Sequence, residues 1–175
     1  MRHIFQPSKI LLAVVPKPAA GDYNILPLCF HTWCSYSPLL YSIAVQQSNY
    51  SFQLFQSATE FVLAIPGENM LDKVTFCGTH SGRDCDKGTA CGIQWAPSDH
   101  ILTPGVRDAA ANMEVLIRTR MTTGDHLMII GEVVAIHLAE DNDQRPLLAV
   151  GPTPTGFEVL WSHGIHTIGV VRGRA

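Results

Sequence analysis

The chain has 175 residues, the length of one domain, and its 12 Lys+Arg against 15 Asp+Glu leave a formal net charge of -3, which argues against a uniformly basic nucleic-acid binder. Hydrophobic residues make up 46%, enough for a sizeable core and too many for a disordered chain. Only 15% of residues are charged, against about 25% in an ordinary globular chain, so either the surface is unusually neutral or part of it is covered by a partner or a ligand.

The first apolar run, Ile10 to Val15 before Pro16, has strand length. It falls short of the about 20 residues of a bilayer span and of the apolar stretch of a signal peptide. The expectation is a cytoplasmic protein with neither a membrane span nor export. Residues Asn24 to Phe55 read as a polar, aromatic loop, a strand at Tyr41–Val45, and a loop feeding a helix at Ser51–Ser57 behind the N-cap types Ser48 and Asn49. Phe61–Ile65 is a further strand, stopped by Pro66-Gly67. Met70–Cys77 predicts a helix ended by Gly78, and Asp108–Asn112 a third short helical turn.

From Val115 to Met121 the pattern has period two. After the turn residues Thr123-Gly124-Asp125 comes the long strand Leu127–Leu138, whose internal Gly131 predicts a bend or bulge at a barrel corner. Together these two strands predict a long antiparallel hairpin. Loops are expected at 16–24, 78–98, 140–146 and 151–156. Many short strands, few helices and no βαβ rhythm predict a mainly β fold, a closed antiparallel barrel with small helical insertions.

Several familiar sites are absent: no G-x-G-x-x-G after a strand, no Walker loop, no H-E-x-x-H and no G-x-S-x-G. The five cysteines (Cys29, Cys34, Cys77, Cys85, Cys91) are odd in number and form no C-x-x-C pair, so reduced thiols are expected. His163, His166 and the Cys29/His31/Cys34 group have no standard zinc spacing, and no metal is expected. Ser48, Asn49 and Ser51 gather hydroxyl and amide donors where a helix begins, and a helix N-terminus can hold a phosphate. The plainer reading is that Ser48 or Asn49 merely caps the helix. Arg83 and Lys87, in the densest charge cluster of the chain, could contact a phosphate or pair with Asp84 and Asp86. His126 sits at the hairpin tip, as a ligand donor or simply exposed.

Three blocks in order carry a resemblance: NILPLCFHTWCSYSPLLYSIAVQQSNYSFQLFQSATEFVLAIP, CGTHSGRDCDK and GDHLMIIGEVVAIHL. Together they resemble the flavin reductase-like family with the FMN-binding split-barrel fold, over most of residues 10–140. The NYSF wording is most similar to the flavoredoxin-like branch, which carries electrons on bound FMN. The resemblance implies one domain over 1–175, with a core of about 10–140 and a C-terminal extension over 141–175, assembled as a homodimer of split barrels with one FMN per subunit. By matching positions, Asn24, Ile25 and Leu26 would lie by the flavin ring or ribityl chain. Cys29, Phe30, His31 and Thr32 would line the flavin loop. Ser48, Asn49 and Ser51 would hold the phosphate with help from Arg83 or Lys87, and His126 would sit near the ring face where a nicotinamide approaches.

The sequence departs from the pattern at Cys29, where many members have Ser, at Asn49, where many have Arg or Lys, and at Gly88, where Phe is usual. The function implied is an NAD(P)H-dependent reductase passing electrons through FMN to free flavin or another small acceptor. Two alternatives stay open: an FMN electron carrier that works with a partner protein and has no NAD(P)H turnover of its own, and a dimer without catalytic activity. A large apolar dimer interface and a neutral flavin groove would account for the low charge, with the remaining charges expected to cluster at 83–87 and 140–145.

Overall fold

The computed structural model describes residues 8–19, 21–140 and 144–149, and the backbone of 161–162 and 169–170. In chain order the strands are β1 (Ser8–Lys9), β2 (Leu11–Pro16), β3 (Tyr23–Leu28), β4 (His31–Tyr36), β5 (Leu39–Gln46), β6 (Glu60–Ile65), β7 (Trp95–Ala96) and β8 (Gly105–Val106). They continue with β9 (Ala111–Thr123), β10 (His126–Leu138), β11 (Leu148–Ala149), β12 (Trp161–Ser162) and β13 (Gly169–Val170). The helices are α1 (Tyr50–Ser57), α2 (Leu71–Thr79), which continues a 3-10 turn at Glu68–Met70, and α3 (Lys87–Ala90).

Seven strands form one antiparallel sheet in the order β3-β2-β6-β9-β10-β5-β4. The sheet curls until β3, at one edge, lies against β5, next to the other edge. The expectation of a mainly β barrel is met.

The continuous apolar runs have a direct explanation. On β2, Leu11, Ala13 and Val15 point into the barrel core, while Leu12 and Val14 enter a second core outside it. On β6, Phe61 and Leu63 face inward and Val62 and Ala64 outward. A strand buried on both faces loses the polar alternation of a half-exposed one. The inner core is closed by Leu54 and Phe55 of α1, with Phe55 edge-on to Phe61. Arg120 of β9 fixes α1 by donating to the carbonyls of Phe55 and Ala58 at the helix's C-terminal end, where a cation also complements the helix dipole.

The outer core lies between the sheet, α2 and the segment 93–109. That segment is held by side chains more than by strand pairing. Glu114 accepts from the backbone N–H of Asp99 (2.7 Å) and His100 (2.8 Å) and from His137 Nε2 (2.6 Å). Glu60 accepts from the backbone N–H groups of Leu102 and Thr103 and from the Thr103 hydroxyl. Asn112 accepts from Val106 N–H and donates to Val106 C=O.

The long hairpin is present, and its loop is Gly124–Asp125 with Gly124 at φ +57°. A glycine with positive φ at the first loop position suits the right-handed twist of the flanking strands. The predicted irregularity falls at Gly131, where the register shifts between Ile130 and Gly131. A Cβ there would overlap Val115 Cγ1 and stand 3.1 Å from the Leu116 carbonyl oxygen. Gly131→Ala is expected to cost about 1–3 kcal/mol by overpacking, read as a lower urea midpoint with an unchanged slope. An unchanged midpoint would show that the corner is not tightly fitted.

Three local expectations are corrected. Asn24, Ile25 and Leu26 lie on a strand and not in a loop. β3 carries Pro27, which has no N–H to donate and is tolerated because β3 is a sheet edge. β4 is the other edge, and its mostly exposed side chains hide its strand character. The third helix is Lys87–Ala90, capped by the Asp86 carboxylate on the N–H groups of Gly88 and Thr89. Asp108–Asn112 is not helical: Ala111 and Asn112 pair with Ile65 and Ala64 of β6. Most of the expected C-terminal extension over 141–175, including His163 and His166, lies outside the described residues. Charges are also found well away from 83–87, at Glu60, Lys73, Asp108, Glu114, Arg118 and Glu132 among others, so they do not cluster as expected.

Candidate functional site

A cleft of about 360 Å³ opens where three segments meet: the end of β3, the start of α1, and the chain leaving α2. β3 contributes Leu26 and Pro27, the β5–α1 connection Ser48 and Asn49, α1 Tyr50 and Ser51, and the end of α2 with the chain leaving it Cys77 to Gly82. Lys87 lines the same cleft. Of the residues singled out from sequence, the cleft therefore collects Leu26, Ser48, Asn49, Ser51 and Lys87.

Asn49 is the N-cap residue of α1, with extended backbone (φ −75°, ψ 142°), yet its side chain makes no capping hydrogen bond. Asn49 thus takes the cap position that the plainer reading gave to Ser48 or Asn49, but not the capping hydrogen bond. Helix N-termini carry unpaired N–H groups and the positive end of the dipole. Here the Phe52 N–H is taken by the Asn49 carbonyl, while Tyr50 and Ser51, whose N–H groups the Asn49 side chain does not cap, line the cleft.

Lys87 is only 4% exposed. Its Nζ donates to the carbonyls of Ile25 (2.9 Å) and Cys77 (2.7 Å), bolting β3 to α2. Among the described residues no carboxylate pairs with it. Burial pushes its pKa below the ordinary value, although the nearby cysteine sulfurs oppose the shift. An ammonium has three N–H donors, and two are spent on carbonyls. The site thus holds a buried cation with a spare donor and no protein counter-ion.

The other members of the charge cluster do not pair among themselves. Arg83 lies over the Tyr50 ring, 5.6 Å from its centroid, and Asp86 is committed to capping α3. Gly88 carries the Trp95 ring against it, and a Cβ there would stand 2.8 Å from Trp95 Cζ2. A side chain at that position would have to displace the Trp95 ring.

Cys77, on the cleft wall, has its Sγ 3.8 Å from that of Cys91. Burial foremost, and then Cys91, push the Cys77 thiol up to about 12. Cys34, Cys77, Cys85 and Cys91 carry thiols.

Asn24 is buried behind the cleft and donates its amide to the Ser51 hydroxyl at 2.7 Å. Ile25 is fully buried in the outer core, and its carbonyl accepts from Lys87. Cys29 and Phe30 form the turn between β3 and β4, and the exposed Phe30 ring stacks on His126 at 5.3 Å. His126 Nδ1 donates to the Asp125 carboxylate at 2.6 Å, which leaves Nε2 for a ligand. Gln47 ties this tip to the start of α1 by bonding Asp125 C=O and Gly124 C=O.

His31 and Thr32 are placed differently. His31 Nε2 must donate to the Lys9 carbonyl, so Nδ1 accepts from the Tyr41 hydroxyl. Burial lowers its pKa, in keeping with a neutral ring that braces β4 against β5. Thr32 is exposed on the edge strand. Neither lines the cleft. Missed at the sequence level were Tyr50 and the 78–82 segment with His80, whose ring stacks on Phe76 at 3.9 Å. His80 lay inside a quoted block but has no partner spacing that marks it. The grouping Asp99, Glu114 and His137 has metal-binding atom types, but the Glu114 carboxylate already accepts three hydrogen bonds.

Residues 1–152 match the family of flavin reductase-like domains. The chain belongs to that family. Its relatives include an uncharacterized protein of Archaeoglobus fulgidus, 28% identical over 73% of this chain and 69% of that one. Another is an uncharacterized protein of Pyrococcus abyssi, 28% identical over 69% of each chain. Among solved structures, an FMN-binding protein from Thermus thermophilus with bound 1-cyclohex-2-enone superposes with a TM-score of 0.77 at 24% identity, over 90% of this chain and 88% of that one. Flavoredoxin from Methanosarcina acetivorans gives 0.77 at 18% identity, over 93% and 89%. An NADH:FAD oxidoreductase of Streptomyces globisporus gives 0.73 at 19% identity, over 84% and 85%. At these identities the likeness establishes the fold.

Proposed function

We propose that the protein is an FMN-binding oxidoreductase that takes electrons from NAD(P)H and passes them to free flavin or another small acceptor. The observation that carries this reading is the cleft: a buried ammonium without a counter-ion, beside a helix N-terminus whose N–H groups the cap side chain leaves open. Burying an unpaired charge is costly, and an anionic ligand in the cleft supplies the missing partner. A phosphate monoester fits that donor set.

In this reading Ser48, Asn49, Ser51 and the first N–H groups of α1 hold the phosphate, with Lys87 as the compensating charge. Arg83 does not line the cleft but lies over the ring of Tyr50, which does, and in this reading it adds positive charge near the ligand. Leu26 and Pro27 give an apolar wall for a ring system. When bound, flavin supplies the two-electron chemistry, accepting a hydride and passing electrons on singly or in pairs. The chain itself needs no nucleophile, and its task is to hold and orient. The exposed Phe30 and the half-buried His126 form a stacked pair beside the α1 start, a platform for a planar donor such as nicotinamide, with His126 Nε2 available to bond it.

The test is an absorbance spectrum of purified protein before and after adding FMN, followed by NADH and NADPH without oxygen. Flavin bands that bleach with either nucleotide support the reductase. Bands that bleach only when a partner protein is present favour the flavoredoxin-like carrier. A protein that stays colourless and ignores FMN overturns the reading.

A homodimer is part of the proposal. Edge strand β4 presents Trp33 and Tyr36, the latter 87% exposed, and Phe30 and Met121 are also exposed. Exposed apolar side chains on an unpaired edge invite pairing, and such a surface accounts for the low charged fraction. Light scattering at micromolar concentration should give twice the 19.2 kDa of the chain, and a persistent monomer would remove this part. Among the described residues no helix is long and apolar enough to cross a membrane.

A further inference from the structure

We propose that Asn24 is a positioning residue, which fixes the Ser51 hydroxyl as a hydrogen-bond donor toward the cleft and so selects an occupant with an anionic oxygen at that point. The inference rests on the flavin reading above, and reassigns Asn24 from touching the flavin to acting through Ser51.

A serine hydroxyl has one proton and two lone pairs. Asn24 Nδ2 donates to Ser51 Oγ at 2.7 Å, with Asn24 1% exposed and Ser51 2% exposed. That bond uses a lone pair and leaves the Ser51 proton uncommitted. No other hydrogen bond to the Ser51 hydroxyl is present among the described residues, and Ser51 lines the cleft. The remaining proton therefore has the cleft as its outlet.

The direction of the Asn24–Ser51 bond is fixed by the other end of the amide. Asn24 Oδ1 is fully buried and has no hydrogen-bond partner among the described residues. It abuts Gly82, where a Cβ would overlap Oδ1 and stand 2.7 Å from Asn24 Cγ. Turning the amide over would place its NH2 against the Gly82 Cα–H, which offers nothing to accept a hydrogen bond. A carbonyl oxygen is tolerated there, since a Cα–H is a weak donor. Glycine at 82 makes the space, and the packing that results holds the amide one way round.

Three segments are locked in this arrangement: β3 through Asn24, α1 through Ser51 and the chain leaving α2 through Gly82. An isolated serine hydroxyl rotates and can donate or accept. Here one lone pair is taken by Asn24 and the proton is free for the cleft, which favours an anionic acceptor such as a phosphate oxygen over a pure donor such as an amide N–H, for which a single lone pair remains.

The test reverses the polarity. In Asn24→Asp the carboxylate can only accept, so the Ser51 proton turns inward and lone pairs face the cleft. The expected result is FMN binding weakened by about 10- to 100-fold, the scale of a lost hydrogen bond to a charged group, with riboflavin affinity changed far less because riboflavin lacks the phosphate. Affinity should recover as the pH is lowered enough to protonate the new carboxyl, which then donates again. Asn24→Ala and Ser51→Ala form the second arm and need no reversed bond. Each should weaken FMN binding, and the double variant should bind no worse than Ser51→Ala alone. Equal losses for FMN and riboflavin, or additive losses in the double variant, would overturn the positioning role. A wild-type protein that binds neither ligand would instead remove the flavin reading beneath it.

Discussion

Glu114→Gln is expected to lower stability by about 2–4 kcal/mol, because it leaves buried donors facing an amide that cannot satisfy them all. Glu114 is fully buried, and its two oxygens accept from Asp99 N–H, His100 N–H and His137 Nε2. Glutamine keeps the size but replaces one acceptor oxygen with an NH2 that confronts a donor. The segment between β7 and β8 should loosen first, since Glu114 and Glu60 hold it down. Urea unfolding at pH 7 measures the loss, and hydrogen exchange at residues 98–103 locates it.

The same carboxylate has a pH signature. Burial alone would raise its pKa, but the two backbone N–H groups and His137 outweigh burial and hold it below the ordinary value of 4.5. For a carboxyl with a depressed folded-state pKa, the stabilisation is fully present above 4.5 and is lost as the pH falls through the folded-state value. The wild-type protein should therefore lose stability below pH 4.5 more steeply than Glu114→Gln, so that the two curves converge. Parallel acid-unfolding curves would show that Glu114 is not the group responsible.

Lys87→Met is expected to weaken FMN binding by about 10- to 100-fold, the scale of a charge-assisted hydrogen bond withdrawn from a buried site. Methionine keeps the apolar stem and removes the only buried cation lining the cleft among the described residues. Fluorescence titration with FMN and riboflavin separates charge from shape, since riboflavin should be little affected. Unchanged FMN affinity in a folded variant would remove Lys87 from the phosphate site. The apo-protein adds an independent check. The folded-state pKa of Lys87 lies below 10.5 because of burial. Between that lowered value and 10.5 the unfolded chain holds more protons, so stability rises with pH across this window as the buried charge is released. Lys87→Met should lack that rise.

The hairpin around Gly124, the corner at Gly131 and the doubly buried strands at Ile10–Val15 and Phe61–Ile65 were legible because each rests on a local cause. A glycine at a turn, a glycine under a side chain and an unbroken apolar run all leave marks in the residues themselves. β3 and β4 were not legible, because edge strands escape the rules that make inner strands recognisable. Pro27 is allowed where no N–H is needed, and Thr32, Trp33, Cys34 and Tyr36 are exposed with no face to bury. The helix expected at Asp108–Asn112 failed for the opposite reason: alanines with helical preference were captured by pairing with β6, and tertiary context overrides propensity.

The candidate site divides along the same line. Sequence alone determined that Ser48, Asn49 and Ser51 stand at a helix start, that Arg83 and Lys87 belong to a charged segment, and that three blocks in order resemble a flavin reductase-like domain. It also set the charged fraction of 15%, which called for a covered surface or a neutral ligand groove. Only the tertiary structure decided which of these residues share a cleft. It put Lys87 under the cleft with two carbonyls and no carboxylate, left Asn49 uncapping, turned His31 into a brace for β4, and set Asn24 behind Ser51 against Gly82. Residue type and spacing specify which donors a chain possesses. The fold alone specifies which of them are already spent on the protein and which remain for a ligand.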